Sequence, residues 1–547
     1  MPETALQLDP RDNVLVALTT LDLGTQVRFG SAAAPASCMV MQTIPAKHKM
    51  ALADLKPGDI VFMYGMVVGE VVEAIPRGGL LTTRNIRHRT ADYTAARHTA
   101  SHAVPDASAW VGRTFMGFRR ADGQVGTRNY WIVLPLVFCE NRNIEQMREA
   151  LEEELGYGRA KSKYRQHVRQ LIQRQGNSNA LADLVAAEKR ERVFPNLDGV
   201  RFLPHQGGCG GTRQDSQALC GLIAGYIHNP NVAGATILSL GCQNAQASIL
   251  MEELRARDPQ LRKPVAIVDQ QSSGTESNLM GQALDKTFAG LAEANRAQRA
   301  PAPLSALTVA LQCGGSDGFS GISANPTVGY ASDLVVGAGG TTILSEFPEL
   351  HGVEQELINR CKTDELAERF SGLMHAYAAS ARAVNSDFAF NPSPGNIRDG
   401  LITDAIKSAG AARKGGESPV SGVLDYPEYV SARGFNLQCT PGNDVESVTA
   451  QVGAGSNIVL FTTGLGTPTG NPIAPVIKIS TSSTLAERMT DIIDFDAGPI
   501  VRGESTIKDS GERLLELSIE VASGHRLTKA ELNGQNDFIP WKRGVSL

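Results

Sequence analysis

Three cysteines in this chain each lie where an apolar run gives way to a glycine-rich loop. Cys209 lies in VRFLPHQGGCGGTRQD, Cys242 in ATILSLGCQNAQ and Cys313 in LTVALQCGGSDGFSG. Each segment has the pattern of a strand, then a loop, then a helix, and this alternation predicts a mainly parallel sheet. Ligands of open α/β sheets bind at the carboxyl ends of the strands, so we expect these loops to form a ligand site.

The cysteines of these loops are candidate metal ligands. A fourth, Cys139, closes the apolar run WIVLPLVFC. Thiolates gathered at strand ends suit a transition metal or an iron–sulfur centre. The chain has no CxxC pair, which argues against a zinc finger. The alternative for each is a small core residue. The remaining cysteines lack the glycine context and we expect them to be structural: Cys38, Cys220, Cys361 and Cys439.

Length and charge narrow the class of protein. The 547 residues favour about two to four domains. A formal net charge of −5 gives no electrostatic basis for binding nucleic acid or an acidic membrane. No apolar run reaches the roughly 20 residues of a spanning helix, and the first residues do not form a secretory signal. The eight cysteines are scattered along the chain, so we expect reduced thiols and a cytoplasmic location.

The chain divides into three units and a linker. Residues 1–88 carry short β-branched runs separated by Gly, Pro and Asp turns, which predict a small β-rich module. Residues 89–110 are small and polar and predict a linker. Residues 111–303 and 304–547 alternate between strand and helix patterns and predict two α/β domains. The Ala- and Pro-rich segment LAEANRAQRAPAPLSA marks the boundary between them.

Polar side chains are dense in the loop that follows Cys313. This density fits recognition of a polyhydroxy ligand through hydrogen bonds. The side chains selected in this loop are Ser316, Asp317, Ser320 and Asn325. Glu346, in TILSEFPE, follows another predicted strand. The glycines of HQGGCGG precede a predicted helix start, where exposed N–H groups suit a carboxylate.

Two basic side chains are candidates for proton transfer. His48 lies between two lysines in IPAKHKMAL, and Lys478 lies within the apolar run VIKIST. Burial would lower the pKa of Lys478 and make it a base. The alternative for His48 is a surface histidine without a functional role. The alternative for Lys478 is a position on an edge strand with its amine in water. A third residue, His205, precedes Cys209 by four positions, and we predict that it shares the metal site of that cysteine.

These segments together resemble the altronate/galactarate dehydratase family. DNVLVALTTLDLGTQV and IPAKHKMALADLKPGDIV resemble its N-terminal SAF (β-clip) module, including the pair His48–Lys49. The body resembles it in FRRADGQVGTRNYWIVLPLVFC, LSLGCQ, LQCGGSDGFSGISANP, GGTTILSEFPEL, NPSPGN, FTTGLGTPTG and VIKIST. The C-terminal IDFDAGPIV and the closing NDF and RGVSL look closest to the altronate dehydratases.

The resemblance implies a fold and an activity. It implies a small SAF module followed by two α/β domains, and dehydration of a 2,3-dihydroxy acid to a 2-keto-3-deoxy acid. The cofactor would be iron(II), an iron–sulfur cluster or another divalent metal. We expect a small hydroxy-acid substrate, no nucleic-acid or membrane partner, and a homo-oligomer. The SAF module would act as a lid that brings His48 to the site.

The resemblance also assigns roles to residues. His48, Lys478 and Asp317 become candidate catalytic residues. The candidate metal or cluster ligands are Cys209, Cys242, Cys313, Cys139 and His205. A mononuclear iron(II) site that uses His48 or His205 is the rival arrangement. The candidate substrate-binding residues are Ser316, Ser320, Asn325, Glu346, Asn396, Thr463 and Thr467.

The chain departs from the family pattern at three positions. Gln243 follows Cys242 where a glutamate is usual, Leu465 replaces an arginine, and Ile397 replaces a lysine. These changes favour a smaller or differently charged hydroxy acid. Two other functions stay open: a carbon–sulfur lyase that releases sulfite from a sulfolactate-like acid, and a non-catalytic sugar-acid binding protein.

Overall fold

The N-terminal module consists of short antiparallel strands. The computed structural model describes residues 4–30, 36–98, 103–158, 163–174 and 191–546. The strands of the module are β1 (Ala5–Leu6), β2 (Val14–Ala17), β3 (Gln26–Phe29), β4 (Ala36–Met39), β5 (Lys49–Ala51), β6 (Ile60–Met63), β7 (Met66–Val71) and β8 (Ile86–Arg87). They form three small sheets of order β1-β2-β5, β3-β4 and β6-β7-β8. Turns rich in Asp, Gly and Pro keep each strand short.

The central region contains a parallel sheet flanked by helices. Its strands are β9 (Thr114–Arg119), β10 (Val125–Gly126), β11 (Tyr130–Pro135), β12 (Gly199–Phe202), β13 (Val232–Ser239), β14 (Val265–Asp269) and β15 (Arg299–Pro303). Its helices are α1 (Asn141–Glu154), α2 (Lys163–Arg174), α3 (Arg213–His228), α4 (Ala247–Arg257), α5 (Gln270–Ser273) and α6 (Glu276–Ala294). Four of the strands form a parallel sheet of order β12-β11-β13-β14.

The Ala- and Pro-rich segment near residue 300 is a strand. β15 pairs antiparallel with β9, and β10 completes this sheet in the order β10-β9-β15. Pro301 and Pro303 lie on β15, which is an edge strand of the sheet. Proline is tolerated on an edge because its missing N–H removes no bond from the interior of the sheet. The segment predicted to mark the boundary between two domains thus contains an edge strand.

The C-terminal region is organised around a larger parallel sheet. Its strands are β16 (Thr308–Cys313), β17 (Thr341–Leu344), β18 (Val420–Leu424), β19 (Gly434–Gln438), β20 (Ile458–Thr463), β21 (Val476–Ser480) and β22 (Phe495–Asp496). Its helices are α7 (Ala324–Gly337), α8 (Glu354–Arg360), α9 (Asp364–Ala383), α10 (Pro394–Arg398), α11 (Asp404–Ala412), α12 (Asp444–Gly453), α13 (Ser483–Arg488), α14 (Gly498–Val501), α15 (Ile507–Ala522) and α16 (Lys529–Asn533). The strand order is β18-β19-β17-β16-β20-β21-β22, with every pairing parallel.

The predicted fold class is confirmed: a small β module precedes α/β domains with mainly parallel sheets. Every residue of β11, β19, β20 and β21 is buried. This pattern is expected for strands covered on both faces by helices, and it explains the apolar runs of β11 and β20. Among the described residues, no helix is long and apolar enough to cross a membrane.

The N-terminal module shares a hydrophobic core with the C-terminal region. Val14, Val61 and Val68 of the module belong to the same buried cluster as Leu350 and Ile406. The Thr403 hydroxyl also donates a hydrogen bond of 2.8 Å to the Val68 carbonyl. Burial of apolar surface from both partners stabilises this association. The module is therefore packed on the body, and its loops occupy fixed positions against the strand ends of the larger sheet.

Candidate active site

A short segment of the N-terminal module contacts two loops of the C-terminal region. We call this segment, Lys47 to Lys49, the finger. The Lys47 ammonium lies 2.9 Å from Asp317 Oδ2 and 3.0 Å from Asp399 Oδ1. Asp317 belongs to the loop after β16, and Asp399 follows α10. We call the loop after β16, which begins with Gly314 to Asp317, the GGSD loop. One lysine thus joins the module to the GGSD loop and to the segment that follows NPSPGN.

Glycines make room for the backbone of the finger. A Cβ on Gly318 would lie 2.4 Å from the Lys47 carbonyl oxygen, and one on Gly400 would lie 2.3 Å from it. Either would clash, so a side chain at these positions would displace the finger. Lys47 itself has φ of 74°, in the left-handed region. Non-glycine residues in this region concentrate at functional sites because the surroundings must hold them there.

Lys49 anchors the base of the finger. Its ammonium nitrogen is 2.6 Å from the Gly400 carbonyl oxygen and 3.0 Å from the Lys47 carbonyl oxygen. The side chain is fully buried, and burial lowers the pKa of Lys49 to about 7. Burial of an amine costs free energy unless its N–H groups donate hydrogen bonds. Here the acceptors are the carbonyl oxygens of Lys47 and Gly400. Lys49 therefore fixes the finger against residue 400.

Asp317 has a positioning role in this geometry. Its Oδ1 accepts from the Phe319 N–H at 3.1 Å and from the Ser320 hydroxyl at 3.2 Å. Its Oδ2 accepts from the Thr481 hydroxyl at 3.0 Å, in addition to the contact with Lys47. Both oxygens are thus engaged in holding the loop and the finger. The prediction that Asp317 is catalytic stays untested, while its contacts describe a residue that positions Lys47.

His48 lies at the tip of the finger and is half-buried. Its Nδ1 is 3.2 Å from the Ala46 carbonyl oxygen. Burial lowers the pKa of His48, and the charges of Lys49 and Lys47 act in the same direction. Asp399 opposes them by favouring the charged ring. The imidazole is therefore biased towards its neutral form, which is the form that accepts a proton.

Three of the predicted thiols share one edge of the four-stranded sheet. Cys139, Cys209 and Cys242 follow β11, β12 and β13, which are neighbours in that sheet, and all three are exposed. Because the strands are parallel, their carboxyl ends meet at the same edge. Burial raises the pKa of Cys139, and the proximity of Cys209 and Cys242 raises it further.

Backbone contacts connect the three thiol loops. The Gly207 carbonyl accepts from the Phe138 N–H at 3.1 Å, and the Gly208 carbonyl accepts from the Asn244 N–H at 2.9 Å. Gly208 has φ of +95°, and a Cβ there would lie 1.9 Å from the Leu136 carbonyl oxygen. The glycines of HQGGCGG are thus required for close packing of the loop around Cys209 against its two neighbours.

Cys313 lies in different surroundings. Its strand, β16, belongs to the seven-stranded sheet, and its sulfur is buried. The sulfur is 2.6 Å from the Lys414 amine, 3.4 Å from Glu349 Oε2 and 3.7 Å from Glu346 Oε2. Among the described residues, no other cysteine contacts this sulfur. The expectation that all four thiols converge in one pocket is therefore wrong for Cys313.

Cys313, Glu346 and Glu349 form a second candidate metal centre. Their ligand atoms lie within 4.8 Å of one another, a spacing that could hold an ion. Two ammonium groups already contact these atoms, since Lys414 touches the sulfur and Lys407 lies 2.6 Å from Glu349 Oε1. The lysines supply the positive charge that a metal would supply. This cluster is therefore less suited to a cation than the exposed thiols.

Glu346 is unusual within this cluster. It has φ of 66°, in the left-handed region, and its Oε1 is buried without a hydrogen-bond partner among the described residues. Burial raises the pKa of Glu346 to about 8, and the charge of Glu349 adds to this effect. Glu346 was predicted to bind substrate, but it is only 1% exposed.

His205 does not have a ring nitrogen free for a metal. Its Nε2 lies 2.7 Å from the Pro135 carbonyl oxygen, and its Nδ1 accepts from the Gly207 N–H at 3.1 Å. Burial lowers the pKa of His205 to about 4. Since both nitrogens are bonded to backbone, the predicted role as a metal ligand conflicts with the structure. His205 instead supports the loop that carries Cys209.

Several predicted substrate-binding residues hold the loops together. The Asn325 amide donates to the Gly410 carbonyl at 2.9 Å and accepts from the Thr462 hydroxyl at 2.6 Å. The Thr463 hydroxyl accepts from the N–H groups of Gly466 and Thr467 at 2.9 and 3.1 Å. These hydrogen bonds shape the loops after β16 and β20. Direct contact with a substrate stays a prediction for them.

The other predicted residues connect the GGSD loop to α10. The Asn396 side chain donates a hydrogen bond of 2.8 Å to the Ser316 carbonyl. It also forms a capping box with Ser393, the N-cap residue of α10. The Ser320 hydroxyl accepts from the Asp317 N–H at 2.9 Å. Leu465 lies beside this loop, since a Cβ on Gly315 would be 3.2 Å from Leu465 Cβ.

Lys478 is buried on β21, as the apolar run predicted. Its amine lies 3.5 Å from the centre of the Phe461 ring and 3.2 Å from the Thr469 hydroxyl. Burial lowers the pKa of Lys478 to about 7, against the charges of Asp444 and Asp494. The amine is thus a base near neutral pH, although the side chain is 0% exposed.

Sequence reasoning missed five residues of these clusters: Lys47, Glu349, Asp399, Lys407 and Lys414. Lys47 and Asp399 sit beside residues that were singled out, His48 and the NPSPGN motif, so proximity to a motif was the only signal. Lys407 and Lys414 lie in α11 and just after it, where basic residues usually face solvent. Only the fold places their amines against buried carboxylates.

Family models match almost the whole chain in three segments. The altronate/galactarate dehydratase SAF domain matches residues 3–89. The second domain of D-galactarate dehydratase/altronate hydrolase matches residues 117–295. The C-terminal D-galactarate/altronate dehydratase model matches residues 304–546.

Characterised relatives match at similar identity. Altronate dehydratase of Escherichia coli (strain K12) is 32% identical over 545 residues, which cover 99% of each chain. Galactarate dehydratase (L-threo-forming) of the same organism is 32% identical and covers 96% of this chain and 93% of its own. The (2R)-sulfolactate sulfo-lyase subunit beta of Chromohalobacter salexigens is 32% identical and covers 78% of this chain and 97% of its own.

The contacts of the finger predict the effect of removing the Lys47 charge. Lys47→Met leaves Asp317, which is 0% exposed, without its cationic partner. Loss of one partner of a buried ion pair is destabilising, so we expect the variant to unfold at a lower temperature than the control in scanning calorimetry. The control is Lys56→Met, which removes an exposed lysine from the same module. An unfolding temperature of Lys47→Met equal to that of the control would contradict this role.

Proposed function

The chain belongs to the family of D-galactarate and altronate dehydratases, and we propose that it removes water from a sugar acid to give a 2-keto-3-deoxy acid. It is a carbon–oxygen lyase. The observation that carries this proposal is the contact of the finger with Asp317 and Asp399. That contact joins the SAF module to two of the loops whose motifs carry the resemblance.

The chemical problem is the removal of a weakly acidic proton beside a carboxylate, with hydroxide as the leaving group. A positioned base contributes about 10²–10⁴ to the rate of such a step. We propose His48 as this base, because its pKa is lowered by burial and its loop is fixed by Lys47 and Lys49. Lys478 is the second candidate, with a pKa of about 7, but its amine is covered by Phe461.

We propose that the exposed thiols Cys139, Cys209 and Cys242 hold the cofactor. Three thiolates on adjacent loops suit an iron–sulfur centre that leaves one iron open to substrate. When bound, such a centre would polarise the hydroxyl that leaves and the neighbouring carboxylate. Backbone hydrogen bonds through Gly207 and Gly208 connect the three loops and support this proposal.

The departures from the family pattern have different local consequences. The side-chain oxygen of Gln243 accepts from the Gly241 N–H at 2.7 Å, and the side-chain amide nitrogen donates to the Ser239 hydroxyl at 2.7 Å. Gln243 is therefore a support of the Cys242 loop. Leu465 instead lies against Gly315, beside the GGSD loop. We propose that the substrate is a hydroxy acid that needs no cation at position 465.

The proposed reaction is tested by its product. Anaerobically purified enzyme should release a 2-keto-3-deoxy acid from at least one member of a panel of aldonic and aldaric acids that includes altronate and galactarate. The same panel includes sulfolactate, because one relative is a sulfo-lyase subunit. Keto acids are measured colorimetrically and sulfite with a thiol reagent. Sulfite release without any keto acid from the sugar acids would favour the carbon–sulfur lyase and contradict the proposal.

The cofactor site is tested by metal analysis. Cys209→Ser should lose most bound iron and acid-labile sulfide, because it removes one of three ligands. Cys313→Ser is the matched comparison, since its sulfur faces Lys414 and two carboxylates. We expect Cys313→Ser to keep the iron content of the wild type. If Cys313→Ser loses its iron while Cys209→Ser keeps it, the cofactor lies in the second candidate centre.

The role of His48 is tested by kinetics. His48→Ala should lower kcat by about 10²–10⁴ at unchanged iron content. The acid limb of the wild-type profile of kcat/KM against pH should lie below the ordinary histidine pKa of about 6.5, because burial lowers the pKa of His48. His98→Ala, in an exposed segment, is the control. Near-normal turnover of His48→Ala would exclude a chemical role and direct attention to Lys478.

A further inference from the structure

Arg398 is an exposed cation beside the finger and the GGSD loop. It is the last residue of α10, and its side chain is 77% exposed. Asp399, the next residue, contacts Lys47 of the finger at 3.0 Å. Asn396, two positions earlier, donates a hydrogen bond to the Ser316 carbonyl of the GGSD loop. The backbone that carries Arg398 is therefore fixed on both sides, while its guanidinium is open to solvent.

The guanidinium of Arg398 has unused donors. Its Nε lies 3.9 Å from Asp399 Oδ2, which is longer than a hydrogen bond. Within the described ranges of the chain, its N–H groups have no hydrogen-bond acceptor. The other oxygen of Asp399 is paired with Lys47. A guanidinium presents its N–H donors in a planar fork, which matches the two oxygens of a carboxylate.

Four lysines near this junction are already engaged. Lys47 contacts two carboxylates, and the buried amine of Lys49 contacts two backbone carbonyl oxygens. Lys407 and Lys414 are also buried, with their amines 2.6 Å from a carboxylate oxygen and from a thiol sulfur. A ligand that bound to any of these amines would have to displace contacts that hold the loops. Arg398 can bind an anion without such a loss.

Arg398 lies close to the loop that follows β20. A Cβ on Gly395 would lie 3.9 Å from Arg398 Nη2 and 3.8 Å from Leu465 Cδ1, so the two side chains share one small region. A Cβ on Gly315, in the GGSD loop, would lie 3.2 Å from Leu465 Cβ and 2.9 Å from the Thr467 hydroxyl oxygen. Leu465 and Thr467 are partly exposed. An accessible cation, a hydroxyl and an aliphatic surface therefore meet where α10, the GGSD loop and the loop after β20 converge.

The carboxylates at this point are already paired with a cation. Asp399 is the carboxylate beside Arg398, and the Lys47 ammonium lies 3.0 Å from its Oδ1. Asp317 is buried and is paired with Lys47 as well. The exposed side of Arg398 therefore presents its positive charge to solvent. A sugar acid offers a carboxylate to that charge, and its hydroxyl groups can donate to or accept from the hydroxyl of Thr467.

We propose that Arg398 binds a carboxylate of the sugar acid and thereby selects acids over neutral polyols. The inference rests on the proposed dehydratase function, because it assigns a carboxylate of that substrate. Arg398 touches the substrate without taking part in the proton transfer assigned to His48. Its contact is made equally in the bound substrate and in the transition state, so its loss should raise KM and leave kcat nearly unchanged.

The test compares the wild type with Arg398→Gln, which removes the charge and keeps a polar side chain. Anaerobically purified full-length enzyme is titrated calorimetrically with the same panel of aldonic and aldaric acids and with the neutral polyol galactitol, and conversion of the acids is followed kinetically. We expect Arg398→Gln to raise Kd and KM for the acid about tenfold to a hundredfold, because a hydrogen bond to a charged group is lost. Arg398→Lys should restore part of the affinity. Binding of galactitol and the melting temperature should equal those of the wild type, since the side chain is exposed.

Arg433→Gln is the matched control, because Arg433 is exposed and precedes β19, at the opposite edge of the seven-stranded sheet. Its Kd and KM should match those of the wild type. If the wild type converts an acid and Arg398→Gln keeps the same Kd and KM, the inference is wrong while the dehydratase function stands. If an acid binds to the wild type without forming product and Arg398→Gln weakens that binding, the inference stands and the dehydratase function fails. If the wild type neither binds nor converts any acid, both fail.

Discussion

The ion pair between Lys47 and the carboxylates of Asp317 and Asp399 joins the N-terminal module to two loops of the C-terminal region. Lys47 and Asp399 are 352 residues apart in the sequence. Burial acts to lower the pKa of Lys47, but Asp317 and Asp399 outweigh it and raise the pKa. Removing water from these charges is costly, and the cost is offset only because Asp317 has further donors in Phe319, Ser320 and Thr481. The N-terminal module is thus held by apolar burial over a broad area and by charge at one point. That point also fixes His48.

Much of the architecture could be predicted because parallel strands buried on both faces leave a plain pattern of apolar runs. The direction of parallel strands also explains why loops that follow them share one edge, and Cys139, Cys209 and Cys242 do so. The pattern does not say which strands share a sheet. Cys313 follows a strand with the same local appearance, yet β16 belongs to the other sheet and its sulfur faces Lys414. The prediction that His205 is a metal ligand was wrong for a related reason, because spacing along a loop does not fix the direction in which the ring points. The contacts of Lys47 depend on the docking of two distant regions, which no local pattern encodes.

The three thiol loops and the cluster around Cys313 differ in burial and in the charges near them. Cys139, Cys209 and Cys242 are exposed and lie on loops joined by backbone hydrogen bonds. The cluster of Cys313, Glu346 and Glu349 is closed by Lys414 and Lys407 and resembles a buried salt-bridge network. Such networks often specify one arrangement of a core, here at the carboxyl ends of β16 and β17. Glu346, a member of this network, has a backbone in the left-handed region.

The central claim is that substrate binds where the finger meets the GGSD loop. The most direct measurement is hydrogen exchange of the anaerobically prepared wild-type enzyme, followed by mass spectrometry, with and without altronate or galactarate. The account predicts slower exchange in both segments, residues 45–49 and residues 314–320, on addition of an acid that the enzyme converts. Slower exchange confined to other segments, with both of these unchanged, would contradict it.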